Sequence, residues 1–98
     1  MKRTIWKYSL EVKDVQKIEM PKGARLLSVA AQHGAPQLWA EIDPSAPMGE
    51  AEIVTIGTGF FIDPTGLDFI GSYQLYGGSF VGHVYGVAPL PESAGAND

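Results

Sequence analysis

Hydrophobic and polar residues alternate with a period of two along much of this chain. Trp6, Tyr8, Leu10 and Val12 fall on one face of an extended segment, with Ile5, Lys7, Ser9 and Glu11 on the other. Successive side chains of a strand point to opposite faces, so this alternation predicts a half-buried strand with a core side and a wet side. Lys13-Asp14 turns the chain, and Gln16, Ile18 and Met20 make a short second strand that stops at Pro21-Lys22-Gly23. Residues 26–32 and 37–42 then read as a hairpin joined by the four-residue loop His33-Gly34-Ala35-Pro36. That register sets Leu27 against Ile42, Val29 against Ala40 and Ala31 against Leu38 on a wholly apolar face. The other face opposes Ala30 to Trp39 and Ser28 to Glu41, so Trp39 points away from the core.

Residues 53–58 carry apolar side chains on both faces (Ile53 on one, Val54 and Ile56 on the other), as an interior strand does. Ile42-Asp43-Pro44-Ser45 and Ile62-Asp63-Pro64-Thr65 share one form. In each, the aspartate accepts a bond from the backbone just beyond it and proline fixes the turn, which makes two strand terminators. Residues 67–87 read as a hairpin folded at Gly77-Gly78, because both central positions of a two-residue turn can need positive φ. The pairs that follow are Leu75 with Phe80, Tyr73 with Gly82, Gly71 with Val84, and Phe69 with Gly86. A large side chain opposes a glycine three times, as when a ring covers backbone that glycine leaves bare. On the second face His83 opposes Ser72 and Ile70 opposes Tyr85. No stretch of 10–15 residues shows a helical period. Six or seven short strands predict an all-β domain over residues 1–87, a small antiparallel sandwich or partly open barrel. The Pro-, Ala-, Ser- and Gly-rich residues 88–98 are expected to form a disordered tail.

Composition narrows the classes. With no cysteine, disulfides and thiolate metal sites are excluded, in keeping with a reducing cytoplasm. No window approaches the roughly 20 apolar residues of a membrane-spanning helix, and Lys7, Glu11 and Lys13 interrupt any signal-peptide core. The net charge of −4 conceals an asymmetry. All seven Lys and Arg residues lie within positions 1–25 beside three acids, while positions 26–98 hold eight acids and no Lys or Arg. The cations are spread through strands, as lysine on edge strands is when it blocks aggregation. Trp6 and Tyr8 face away from Lys7, so stacking rings and phosphate-binding charge do not share a surface, and nucleic acid is not the expected partner.

Candidate chemistry is sparse. Gly57-Thr58-Gly59 lacks the spacing of a phosphate loop and predicts a turn. His33 and His83, the two histidines, cannot make a metal site by spacing, and no cofactor is implied. Ser72 opposite His83 is the one serine–histidine pairing, without an orienting acid, so the expectation is against an enzyme.

The segments Thr4-Ile5-Trp6-Lys7-Tyr8, Met20-Pro21-Lys22-Gly23-Ala24, Leu38-Trp39-Ala40 with Asp43-Pro44, Gly57-Thr58-Gly59 and His83-Val84-Tyr85 resemble a group of short bacteriophage and prophage proteins of unknown function. The similarity extends to Val87. It implies a phage-type accessory protein of the bacterial cytoplasm, and carries no catalytic residues with it. Such proteins often act by binding. The expected function is therefore inhibition of a host defence protein by occupying its surface, the acidic bulk after Arg25 suiting a basic target. Two alternatives remain open: an oligomer that sequesters a small, nucleotide-like signalling molecule, and a structural phage component. A homo-oligomer is expected, with Trp39, Thr58, His83 and Tyr85 as candidate binding residues. Trp39, Ile70, Val81 and Tyr85 are expected to contribute to one apolar patch.

Overall fold

The computed structural model describes residues 2–87. Seven strands run in chain order as β1 (Thr4–Ser9), β2 (Val15–Pro21), β3 (Arg25–Gln32), β4 (Ala35–Ile42), β5 (Met48–Gly57), β6 (Leu67–Leu75) and β7 (Phe80–Val87). They form two antiparallel sheets, ordered β1-β4-β3 and β2-β5-β7-β6, which pack face to face and are not closed into a barrel. The expected all-β class holds, as a sandwich. Residues 88–98, expected to form a disordered tail, lie outside the described residues.

The core is the sum of the inward strand faces. Leu38, Ala40 and Ile42 of β4 meet Ala51 and Ile53 of β5, Val84 of β7, and Tyr73 and Leu75 of β6, all buried. Alternation placed these faces correctly, because pleating leaves each residue only two directions. Several details differ from the expected register. The β3–β4 turn has two residues, not four: His33 and Gly34 both take positive φ (54° and 77°), and Gln32 pairs with Ala35. Val29 therefore opposes Leu38 and Ser28 opposes Trp39, while Ala30 meets Gln37. From Ser28 onward the slip moves each partner by two residues, so those side chains keep their faces. An irregularity between Leu26 and Ser28 then sets Leu26, not Leu27, against Ala40 and turns Leu26 inward. Strand β1 ends at Ser9; Val12 is left outside it and exposed, and core-facing Trp6 is 41% exposed because β1 is an edge strand.

The β6–β7 hairpin keeps the pairs Leu75–Phe80, Tyr73–Gly82 and Gly71–Val84. Gly77 and Gly78 take positive φ as expected, but so does Tyr76 (53°), and the ladder stops at Leu75. Further along, a bulge at Ile70 breaks the register, so Phe69 pairs with Tyr85 rather than with Gly86, and Asp68 takes the Gly86 position. Leu26 of the opposite sheet fills the space over Gly86, its Cδ1 2.8 Å from where a Cβ would stand. Gly71 has a different neighbour again: a Cβ there would lie 3.5 Å from the Val29 backbone nitrogen. That is ordinary contact distance, and β3 runs beside β6 here, where the two sheets meet.

Both strand terminators form. Asp43 Oδ1 accepts from the Ser45 amide (2.9 Å) and hydroxyl (2.7 Å), and Asp63 Oδ1 accepts from the Thr65 amide (3.0 Å). These bonds to Ser45 and Thr65 hold the two carboxyls below the ordinary value of 3.8.

The phenol end of Tyr73 lies over Gly82, with Cζ 2.8 Å from the position of a Cβ. Tyr73 is buried, so it cannot swing aside. Gly82→Val is expected to cost about 1–3 kcal/mol as an overpacking change, measured by denaturant unfolding; unchanged stability would remove this packing. The Tyr73 hydroxyl is itself buried without a hydrogen-bond partner. Burial, and secondarily the Tyr76 phenol, push its ionisation above the ordinary 10.0. A raised value in the folded state means stability that is complete below pH 10 and declines as pH climbs towards the folded value. Tyr73→Phe is expected to stabilise by about 1–3 kcal/mol, the cost of an unsatisfied group, and to blunt the alkaline decline in a thermal-melt pH series.

Candidate functional site

The outer face of the four-stranded sheet is built from residues that strand pairing sets side by side. Val15, Val54, Tyr85 and Phe69 occupy one row across β2, β5, β7 and β6. The row is apolar from edge to edge, with Val15 48% and Phe69 59% exposed. Phe69 and Tyr85 meet edge to face, ring centroids 5.4 Å apart, the arrangement that ring quadrupoles favour. The Ile70 bulge is what turns Phe69 onto this face. Towards one end the face turns acidic: Glu52 lies opposite Lys17, and Glu50 directly opposite Glu19.

The adjacent row is Ile56, His83 and Ser72. His83 is held at both ring nitrogens, Nδ1 2.8 Å from Ser72 Oγ and Nε2 2.7 Å from Thr58 Oγ1. In a neutral imidazole one nitrogen donates and the other accepts, so one hydroxyl must accept and the other donate. No carboxylate is among the hydrogen-bond partners of these three side chains. The group that orients and charges the base in nucleophilic catalysis is thus missing from this cluster. Its evident work is to fix the Gly57-Thr58-Gly59 turn onto β7. That turn is closed by Phe60 N–H donating to Gly57 O at 3.2 Å.

Three of the four expected binding residues, Thr58, His83 and Tyr85, therefore share one surface. Trp39 does not. It sits on the outer face of the three-stranded sheet between Lys7 and Ser28, on the far side of the core. Lys7 Nζ reaches across β4 to Gln32 Oε1 at 2.7 Å on that face. The single patch expected to join Trp39 with Tyr85 and Val81 does not exist, because β4 and β7 belong to different sheets.

Beside the apolar row, at the end of β5, lies a cavity of 580 Å³. Val12 and Val15 wall it on one side, Val54 and Ile56 line its strand side, and Phe60 and Ile62 close the other. The wall carrying Val12 is the β1–β2 connection, pinned from within by a buried side chain. Gln16 Oε1 accepts from Glu11 N–H (3.0 Å), and its Nε2 donates to Glu11 O (2.9 Å). Thr55 N–H donates to Asp14 O at 2.8 Å and ties the same arm to β5.

A family model described as a domain of unknown function, DUF7352, matches residues 1–94. The chain belongs to that family. No curated protein and no solved structure matches it. Among the described residues no group of His, Asp and Glu is placed to hold a metal ion, and no helix is long and apolar enough to cross a membrane.

Phe69, Phe60 and Phe61 were missed as surface residues by sequence reasoning. The adjacent Phe60-Phe61 pair between two turn signals was the available clue, since loops rarely carry consecutive aromatics without a use; Phe60 is 77% exposed and Phe61 fully so. Phe69 gave no such signal, because its face depends on the bulge. Gln16→Ala removes both bonds of the clamp and is expected to cost about 1–3 kcal/mol. It should also speed amide exchange at Glu11 and Thr55 in hydrogen-exchange measurements, whereas unaltered exchange there would mean the arm is held by other contacts.

Proposed function

We propose that this domain is a non-enzymatic, phage-type accessory protein that acts in the bacterial cytoplasm by occupying the surface of a host protein, a defence protein in particular. The contact surface in this proposal is the outer face of the four-stranded sheet. The observation that carries it is the row Val15–Val54–Tyr85–Phe69, an apolar stripe running from one sheet edge to the other with an exposed aromatic at its end. Soluble monomers seldom leave such a stripe bare, and aromatic residues are the usual energetic centres of protein interfaces. Beyond the stripe the face carries Lys17 with Glu52 and then Glu19 with Glu50, three acids to one base, so the favoured partner presents basic residues on that side of an apolar centre. The phage assignment rests on the resemblance of segments such as residues 4–8 and 83–85. The His83 cluster supports binding over catalysis, because it offers hydroxyls and an imidazole with no acid to drive them.

The test is capture of host proteins by the tagged full chain, followed by reconstitution with the purified partner. Phe69→Ser is expected to weaken the reconstituted complex at least about tenfold, the effect of losing one interfacial anchor. Trp39→Ala, on the opposite sheet, should bind as the parent does and remain folded by circular dichroism. Added salt should slow association, as it does when charges steer an encounter. The opposite pattern, binding lost with Trp39 and kept without Phe69, would move the working surface to the three-stranded sheet. Self-association through the same stripe would show as a Phe69-dependent sedimentation shift with no partner present.

A further inference from the structure

We infer that the 580 Å³ cavity at the end of β5 is a binding site for a small, uncharged, largely apolar molecule carrying one hydrogen-bonding group. Its size falls within the range of about 300–1,000 Å³ usual for small-molecule sites. Aliphatic side chains of the Val12–Val15 arm and of β5 face Phe60 and Phe61 across it, with Phe80 at its inner end. Gly57 makes room for these rings: a Cβ there would stand 3.3 Å from Phe60 Cδ2 and 3.6 Å from Phe80 Cε1.

The polar groups define the class of ligand. Lys13 and Asp14 stand side by side on the wall, so the cavity offers no net charge. Lys13 already lies 4.0 Å from Glu11, and neither arginine nor a helix N-terminus is present to receive a phosphate. A nucleotide or other polyanion is thereby disfavoured. On the inner side of β5, where Gly57, Phe60 and Phe80 also line the cavity, stands Thr55, 6% exposed, whose hydroxyl is buried and has no hydrogen-bond partner among the described residues. A buried hydroxyl left unpaired costs free energy that a partner returns. A ligand whose single polar group reaches Thr55 supplies that partner, while its apolar body covers the surrounding valine, isoleucine and phenylalanine side chains. The arm is fixed beforehand by the Gln16 clamp and the Thr55–Asp14 bond, so binding need not order it. The cavity shares Val15 and Val54 with the proposed contact stripe but not Tyr85 or Phe69, so a change at Phe69 tests the stripe without touching the cavity.

The test uses the full chain and N-phenyl-1-naphthylamine, a neutral two-ring fluorophore with one N–H, followed by fluorescence titration. Saturable binding of one molecule per chain is expected. Thr55→Val should weaken it about fivefold, the loss of one hydrogen bond, while raising the melting temperature of the unliganded protein. Phe69→Ser should leave it unchanged. Absence of saturable binding would overturn the site, and equal affinity in Thr55→Val would overturn the role of the hydroxyl. A third result would also overturn it: a dimer that Phe61→Ser converts to monomer and that admits the fluorophore only after that change. The cavity would then be a socket for Phe61 of a second copy.

Discussion

The architecture depends on how closely backbone and side chain approach one another along β7 and at the β3–β6 junction. Gly82 accepts the phenol end of Tyr73, and Gly86 accepts the end of Leu26 from the other sheet, both closer than a Cβ would allow, while the Val29 backbone passes Gly71 at ordinary contact distance. Two glycines thus let large side chains from two directions share one thin layer, with Val84 filling the interval between them. Packing at this density tolerates little added volume. It also makes the inner face of β7 a floor, and leaves Val81, His83, Tyr85 and Val87 on its outer side.

How much of this was legible can be followed residue by residue. The faces of β1, β4 and β7 were readable because period-two alternation is a strong signal, and because Leu38, Ala40 and Ile42 cannot all be exposed. Tyr73 over Gly82 and Ser72 beside His83 were readable for the same reason, once the glycine pair at 77–78 fixed the turn. The His33-Gly34 turn was not: histidine at positive φ is uncommon, and Pro36 looked like part of a loop although it lies in β4. The Ile70 bulge was invisible too. It sets Ile70 Cδ1 beside Gly86 and Gly71 beside β3, contacts between residues distant in sequence that alternation does not report.

The candidate site shows the same division. Thr58, His83 and Tyr85 come together because two lie two residues apart on β7 and the third directly follows the neighbouring strand β5. Trp39 was assigned the correct direction but joined to the wrong sheet, since alternation gives a face and says nothing of strand order. The cavity could not be read at all: it is made by the Val12–Val15 arm meeting β5 and the Phe60–Ile62 loop, a meeting arranged by Gln16 from a position that alternation marks only as inward.

The placement of the cations in and around the two outer strands bears on how the chain is made. β1 and β2 are the free edges of their sheets, and their partners come much later: Thr4 pairs with Ile42, and Val15 with Val54. On a ribosome, both strands emerge well before anything can hydrogen-bond to them. During that interval Trp6, Tyr8, Ile18 and Met20 are exposed on extended chain, the condition under which nascent polypeptides associate. Lys2, Arg3, Lys7, Lys13, Lys17 and Lys22 punctuate this stretch. Like charges carried on an unpaired strand oppose its association with a neighbouring copy, and in the folded chain the exposed Arg3 bonds to Glu41 at 2.9 Å and to the Gly23 carbonyl. The same cations thus bear on the unpaired strand and on the finished surface.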